Sequence, residues 1–245
     1  MNFTKYNTSA DTSVRYDAGL RAYMLHVFSL MSIALVITGI AAYFATFDAF
    51  QSLVVSQSQS GGYQVTPFGW VVQLAPLFMV FFFSFKVQSM SLPVAKITFW
   101  TFSVLMGLSL GQLCLMYTGE SIARTFFITA SVFGSMSIYG YTTKKDLSGM
   151  GSFCMMGVIG ILIASVVNMF MQSSGLDFAI SVIGVLAFTG LTAWDVQKIK
   201  NLYLHTARMD ANAVGKSAIL GALTLYLDFI NLFIFLLRLF GGRRD

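Results

Sequence analysis

Seven long apolar runs, each close to the length needed to cross a bilayer, constrain this chain more than any other feature. Their limits are close to 23–47, 67–85, 97–117, 125–141, 153–171, 178–196 and 217–239. In hydrocarbon, only helices and closed barrels satisfy every backbone amide and carbonyl. A barrel strand needs about ten residues of alternating polarity. These runs are instead continuous and of roughly 20 residues, the length of a membrane helix. The expected fold is an all-α membrane protein, a seven-transmembrane helix bundle. The charged fraction agrees, at 10% against about 25% in soluble domains.

The sequence divides into a polar cytosolic N-terminal tail at 1–22, the bundle at 23–239 and a short basic C-terminal tail at 240–245. The first tail is not expected to be a signal peptide, because no basic segment directly precedes an apolar core with a small-residue cleavage site. The net charge of +5 does not point to nucleic acid, since the basic residues sit in short flanks beside the runs and serve orientation. With the N-terminus inside, the inner flanks collect Lys5, Arg15, Arg21, Lys86, Lys96, Lys144, Lys145, Lys198, Lys200, Arg208 and Lys216. The opposite side holds Arg124, Arg238, Arg243 and Arg244, and the loops 48–66 and 172–177 have no Lys or Arg. A basic C-terminal tail would prefer the inside, so a re-entrant last segment stays open beside a full crossing.

Several polar or special positions lie within the runs. Pro76 is expected to kink the second span by removing one helical hydrogen bond. Ser103, Gly107 and Gly111 share one face of the third, and close packing within the bundle is favoured over dimerisation. Glu120 and Arg124 are spaced for an i,i+4 pair in a tight loop at 118–124. Cys114 and Cys154 read as buried thiols, and no Cys/His spacing suits a metal.

Two acids demand a reason. Asp195 ends the sixth run and Asp228 lies in the middle of the seventh. A charged side chain at mid-bilayer costs roughly 2.5–3.5 kcal/mol on insertion scales, so such residues are functional by default. The structural alternatives are specific. Asp195 could pair with Lys198, or accept from Thr192 on the same face, and Asp228 with Asn231 at i+3 could be polar packing. Spacing alone does not bring the two acids level. They meet only if the seventh helix starts below the membrane surface or the sixth continues beyond Lys198.

Gly190-Leu-Thr-Ala-Trp-Asp-Val-Gln-Lys-Ile-Lys200 resembles the signature of the transmembrane Bax inhibitor motif family, Gly-x-Thr-Ala-Tyr/Trp-Asp-x-Gln-x-Ile-Lys. Tyr139-Gly-Tyr-Thr-Thr-Lys-Lys-Asp-Leu-Ser148 and Tyr226-Leu-Asp-Phe-Ile-Asn-Leu-Phe233 look like its other recurrent blocks. The match extends over residues 20–240 and is nearest in character to bacterial inner-membrane members. The resemblance implies that the last helix is central and wrapped by the other six. It also implies a pH-sensitive calcium leak, with Asp195 and Asp228 as a hydrogen-bonded pair. Some members pair an acid of the second span with a base at its end. Here Lys86 supplies the base, but residues 67–95 contain no Asp or Glu.

Two carboxylates held close in low dielectric cannot both ionise cheaply, so such a pair is expected to keep one proton toward neutral pH. Once deprotonated it would offer oxygen ligands to Ca²⁺, so protons and Ca²⁺ would compete for it. The expected function is a passive, proton-regulated Ca²⁺ pathway in the lipid bilayer, with Asp195 and Asp228 as sensor and possible ion ligands. No cofactor is expected beyond the ion carried. The alternative is a non-transporting regulator that binds a membrane protease or a stress-response partner. No enzyme is expected, since the Gly-x-Gly-Asp type of motif around an intramembrane catalytic acid is absent.

Overall fold

The structure, a computed structural model, describes residues 4–57, 63–206 and 210–244. In chain order these form α1 (Thr4–Phe44), α2 (Asp48–Val54), the strands β1 (Val55–Gln57) and β2 (Tyr63–Val65), α3 (Pro67–Lys86), α4 (Leu92–Met116), α5 (Gly119–Thr142), α6 (Ser148–Met171), α7 (Ser174–Thr206) and α8 (Ala211–Phe240). Among the described residues seven helices are long and apolar enough to cross a membrane: α1 from Ala18 onward, and α3 to α8. The side chains of Lys5, Arg15 and Arg208 lie outside the described residues.

The differences from the sequence expectation lie at the helix ends. Helix α1 runs unbroken across the boundary drawn at 22/23. The 48–66 connection is not plain loop but holds α2 and an antiparallel β1–β2 ribbon that pairs Val55 with Val65. Helix α4 begins at Leu92, because Pro93 belongs in its first turn, where a missing N–H costs nothing. Thr118 accepts from the Ser121 amide at 3.3 Å and so caps α5. Residues 119–124 are therefore helix, and the expected Glu120–Arg124 pair, at 2.5 Å, sits on its first turns. Helix α3 continues through the buried Pro76.

The helices pack unevenly. Helix α8 has 67% of its apolar stretch buried and α7 50%, against 22% for α3 and 11% for α6. The main neighbours of α8 are α7, α1, α5 and α4, whereas α3 lies mainly on α4 and α6 on α7. The small-residue face of α4 serves the bundle, as expected. A Cβ at Gly107 would strike the Thr38 carbonyl and Ala41, and one at Gly111 would strike Ala45. Cys154 is buried as read, but Cys114 is only half-buried.

The last helix is continuous and long and apolar enough to cross completely. Its C-terminal extension is clasped by the α4–α5 turn: the Thr118 amide donates to the Gly242 carbonyl (3.1 Å) and the Arg244 amide to the Met116 carbonyl (2.9 Å). The Gly242 amide also donates to Ser121 Oγ at 2.8 Å. Arg238 lies 3.7 Å from Asp177 at the start of α7. The end of α8 and the start of α7 therefore share one face, as two antiparallel full crossings require. On the opposite, lysine-rich face, Lys216 Nζ donates to the Gln88 carbonyl at 2.8 Å.

Candidate functional site

Helix α7 has 33 residues, about 50 Å at 1.5 Å per residue, which exceeds a hydrocarbon core of about 30 Å. It continues nearly two turns past Lys200, and α8 starts well before its apolar run. Both conditions for the two acids to meet are thus fulfilled. Register is set by close contacts on either side of them. A Cβ at Gly221 would press on Ile199, and one at Gly184 on the Phe235 ring. That register leaves Asp195 and Asp228 about one helical turn apart in level. Helical side chains lean toward their own N-terminus, so on antiparallel helices the two carboxyls lean toward each other.

The result is a pair of carboxyls within hydrogen-bonding reach of each other across the α7–α8 interface. Both are buried, at 6% exposed for Asp195 and 5% for Asp228. Asp228 Oδ2 has no hydrogen-bond partner among the described residues.

The other candidate residues are placed differently. Thr192 donates to the Phe188 carbonyl at 2.7 Å, and Asn231 Nδ2 to the Leu227 carbonyl at 2.8 Å. Thr192 spends its one proton, and Asn231 one of its two N–H groups, on its own helix one turn back, the usual local outlet for a polar side chain within a helix. Lys198 makes no ion pair with Asp195 within the distance of a salt bridge. Its ammonium stands 4.8 Å from the centre of the Trp194 ring, an arrangement favoured by the ring quadrupole. Lys86 closes α3, with no acid in that helix to meet it. Among the described residues no group of three or more His, Cys, Asp or Glu could hold a metal.

The family model described as inhibitor of apoptosis-promoting Bax1 matches residues 20–245. The chain belongs to that family. A Rickettsia prowazekii protein, RP147, is 46% identical over the full length of both chains. The Escherichia coli inner membrane protein YbhL is 43% identical over 235 residues, covering 96% of this chain and 97% of its own. A Streptococcus pyogenes membrane protein is 34% identical over 227 residues, covering 92% and 94%. With seven apolar helices, these relatives make the chain a multi-pass bacterial inner-membrane protein.

The Bax inhibitor signature does more than carry an acid. Gln197 accepts the Leu147 amide at 2.9 Å and donates to the Lys145 carbonyl at 2.8 Å. One α7 side chain thereby fastens the turn that starts α6. Lys200 Nζ donates to the Tyr141 carbonyl at 2.8 Å, and a cation there also suits the negative end of α5. Gly140 of α5 lies against the Ala193 backbone, Gly151 of α6 under the Trp194 ring, and Gly190 against Cys154. The signature is the joint where α5 and α6 meet α7, and it fixes the height and rotation of Asp195.

A second buried polar group was not singled out in the sequence. Tyr226 Oη lies 2.6 Å from Thr38 Oγ1, which donates to the Ser103 carbonyl at 2.9 Å. Because the Thr38 proton is used on Ser103, Tyr226 is the donor to Thr38. This chain ties α8 to α1 and α4 half a turn from Asp228. Its only sequence signal is a tyrosine in the Tyr226–Phe233 block.

Proposed function

We propose that the protein is a pH-sensitive calcium leak gated by the Asp195–Asp228 pair. A bundle of this family is consistent with a channel-like role in the membrane, and the finer reading rests on one observation. Two buried carboxyls lie within reach of each other, and one oxygen of Asp228 has no partner among the described residues. A buried carboxylate oxygen without a partner is costly, and such a group in a native fold calls for a role. A proton shared by the pair joins α7 to α8 and removes one charge from the interior. Changing the proton count alters charge and contact together, which is what a two-state gate needs. The unprotonated pair presents oxygens to a hard cation. Ca²⁺ takes 6–8 oxygen ligands, so two carboxylates can hand on a partly hydrated ion but cannot cage it.

The test is Ca²⁺ entry into dye-loaded liposomes containing purified protein, scanned from acidic to mildly basic pH. Wild type should show a leak that changes through one protonation step. Asp195→Asn and Asp228→Asn should shift or abolish that step. A carboxamide still bonds to its neighbour but cannot titrate. Absence of flux above empty liposomes at every pH would overturn the leak and favour a regulator that binds a membrane protease or stress-response partner. A leak whose pH profile ignores both variants would remove the pair as sensor.

A further inference from the structure

Helices α1 and α5 both lean on α8 but share no extensive contact with each other. Phe126 and Phe133 of α5 meet Phe229 of α8 at ring separations of 5.5 and 5.4 Å. That aromatic cluster forms the floor of an open crevice of about 700 Å³ between α1 and α5. Small residues keep it open: Ser32 and Gly39 on one wall, Ala130, Gly134 and Ser137 on the other. Val36 and Ile138 at its edge are exposed, at 62% and 67%, so it faces the surrounding lipid. Toward the lysine-rich face a second cavity of about 290 Å³ shares Phe28, Ser137 and Ile138 with it and ends at Arg21 and Tyr141. Arg21 supplies the cation at that end, while Lys200 is engaged with Tyr141, donating to its carbonyl with the ammonium 5.5 Å from the ring centre. Asp146 of the neighbouring turn is occupied by Ser148. Ser137 Oγ, one turn deeper than Tyr141, is buried and unpartnered among the described residues.

We propose that this crevice binds one acyl chain of an anionic phospholipid, with the phosphate held at the Arg21 end. The apolar trough suits the chain, and Ser137 has the depth and the free donor for a glycerol ester carbonyl. Basic pockets between membrane helices on the inner side are the general setting for anionic headgroups. This site is independent of the calcium reading, since neither aspartate lines it.

Native mass spectrometry of the full protein in mild detergent, with phosphatidylglycerol or phosphatidylcholine at equal concentration, tests the assignment. One phosphatidylglycerol per chain should be retained, with a preference of about fivefold, the worth of one basic residue at a membrane surface. Arg21→Gln should erase the preference. Gly134→Phe should abolish retention of both lipids, and Gly39→Phe fills the same trough from α1 should the first variant fold poorly. Nothing lies within 4 Å of a Cβ added at either glycine, so both substitutions enter open space. Equal retention of the two lipids by the wild type, or unchanged retention in the filled variants, would overturn the proposal.

Discussion

Helices α8 and α6 are almost equally hydropathic, yet 67% of the apolar stretch of α8 is buried inside the bundle and only 11% of that of α6. In water such a difference would be visible as an apolar stripe on the outer helix. In lipid the outer face is as apolar as the inner one, so hydropathy says that a helix crosses but not where it stands. What distinguishes the interior helices is close approach and polar fastening. Helices α7 and α8 carry the buried aspartates, the tyrosine donor and glycines pressed against neighbours. Helix α6 turns Phe153, Met156, Ile159, Leu162 and Phe170 outward, each more than half exposed.

The strongest way to break this contrast is to add the same side chain at an interior and an exterior glycine. A Cβ at Gly140 meets the Ala193 backbone, while nothing lies within 4 Å at Gly160 of α6. Gly140→Leu should cost about 3 kcal/mol or more, because backbone cannot step aside, and Gly160→Leu should be neutral or slightly stabilising. Thermal unfolding in detergent reads both, and equal effects would remove the distinction between positions packed on α7 and positions that face outward.

Next in size is Gln197→Leu, which leaves the Leu147 amide and the Lys145 carbonyl without their α7 partner. A loss of about 1–3 kcal/mol is expected, with faster hydrogen exchange at the start of α6. The peripheral counterpart is Gln73 on α3, whose contacts with Ser109 are long, at 3.2 and 3.5 Å. Gln73→Leu should cost no more than about 0.6 kcal/mol, the average for a hydrogen bond between membrane helices.

Surface charges should matter least. The Glu120–Arg124 side chains are 81% and 67% exposed, so Glu120→Gln should change stability by about 0.3 kcal/mol and less in high salt. Asp146 gives a pH signature. Bonds from the Ser148 hydroxyl and amide hold its carboxyl below the ordinary value of 3.8. Its small contribution is therefore present above that value and lost as pH falls through the lower folded-state value. An unfolding series run down through this range should show Asp146→Asn losing that acid dependence, and an unchanged acid profile in that variant would remove Asp146 as its source.

The number of spans, their order and the helical class were legible in the sequence, because backbone satisfaction in hydrocarbon leaves one solution for continuous runs of this length. So was the bundle-facing role of Ser103, Gly107 and Gly111. The helix ends were less legible. The Ser/Gln/Gly-rich 48–66 segment read as loop, although α2 and the β1–β2 ribbon lie within it. The third run was drawn from residue 97, although α4 starts at Leu92, because Pro93 fits the first turn of a helix.

At the site, the sequence by itself marked Asp195 and Asp228, since a charge in an apolar run stands out in any fold. Tertiary structure decided what surrounds them. Register between α7 and α8 sets the two carboxyls within reach, and no spacing along one chain contains the offset between two helices. Thr192 and Asn231 looked like partners on a helical wheel, but each bonds to its own backbone one turn back. Lys198 looked like the counter-ion of Asp195, yet the Trp194 ring holds its ammonium. Local spacing lists the partners a side chain could reach, and only the packed bundle sets which one lies nearest.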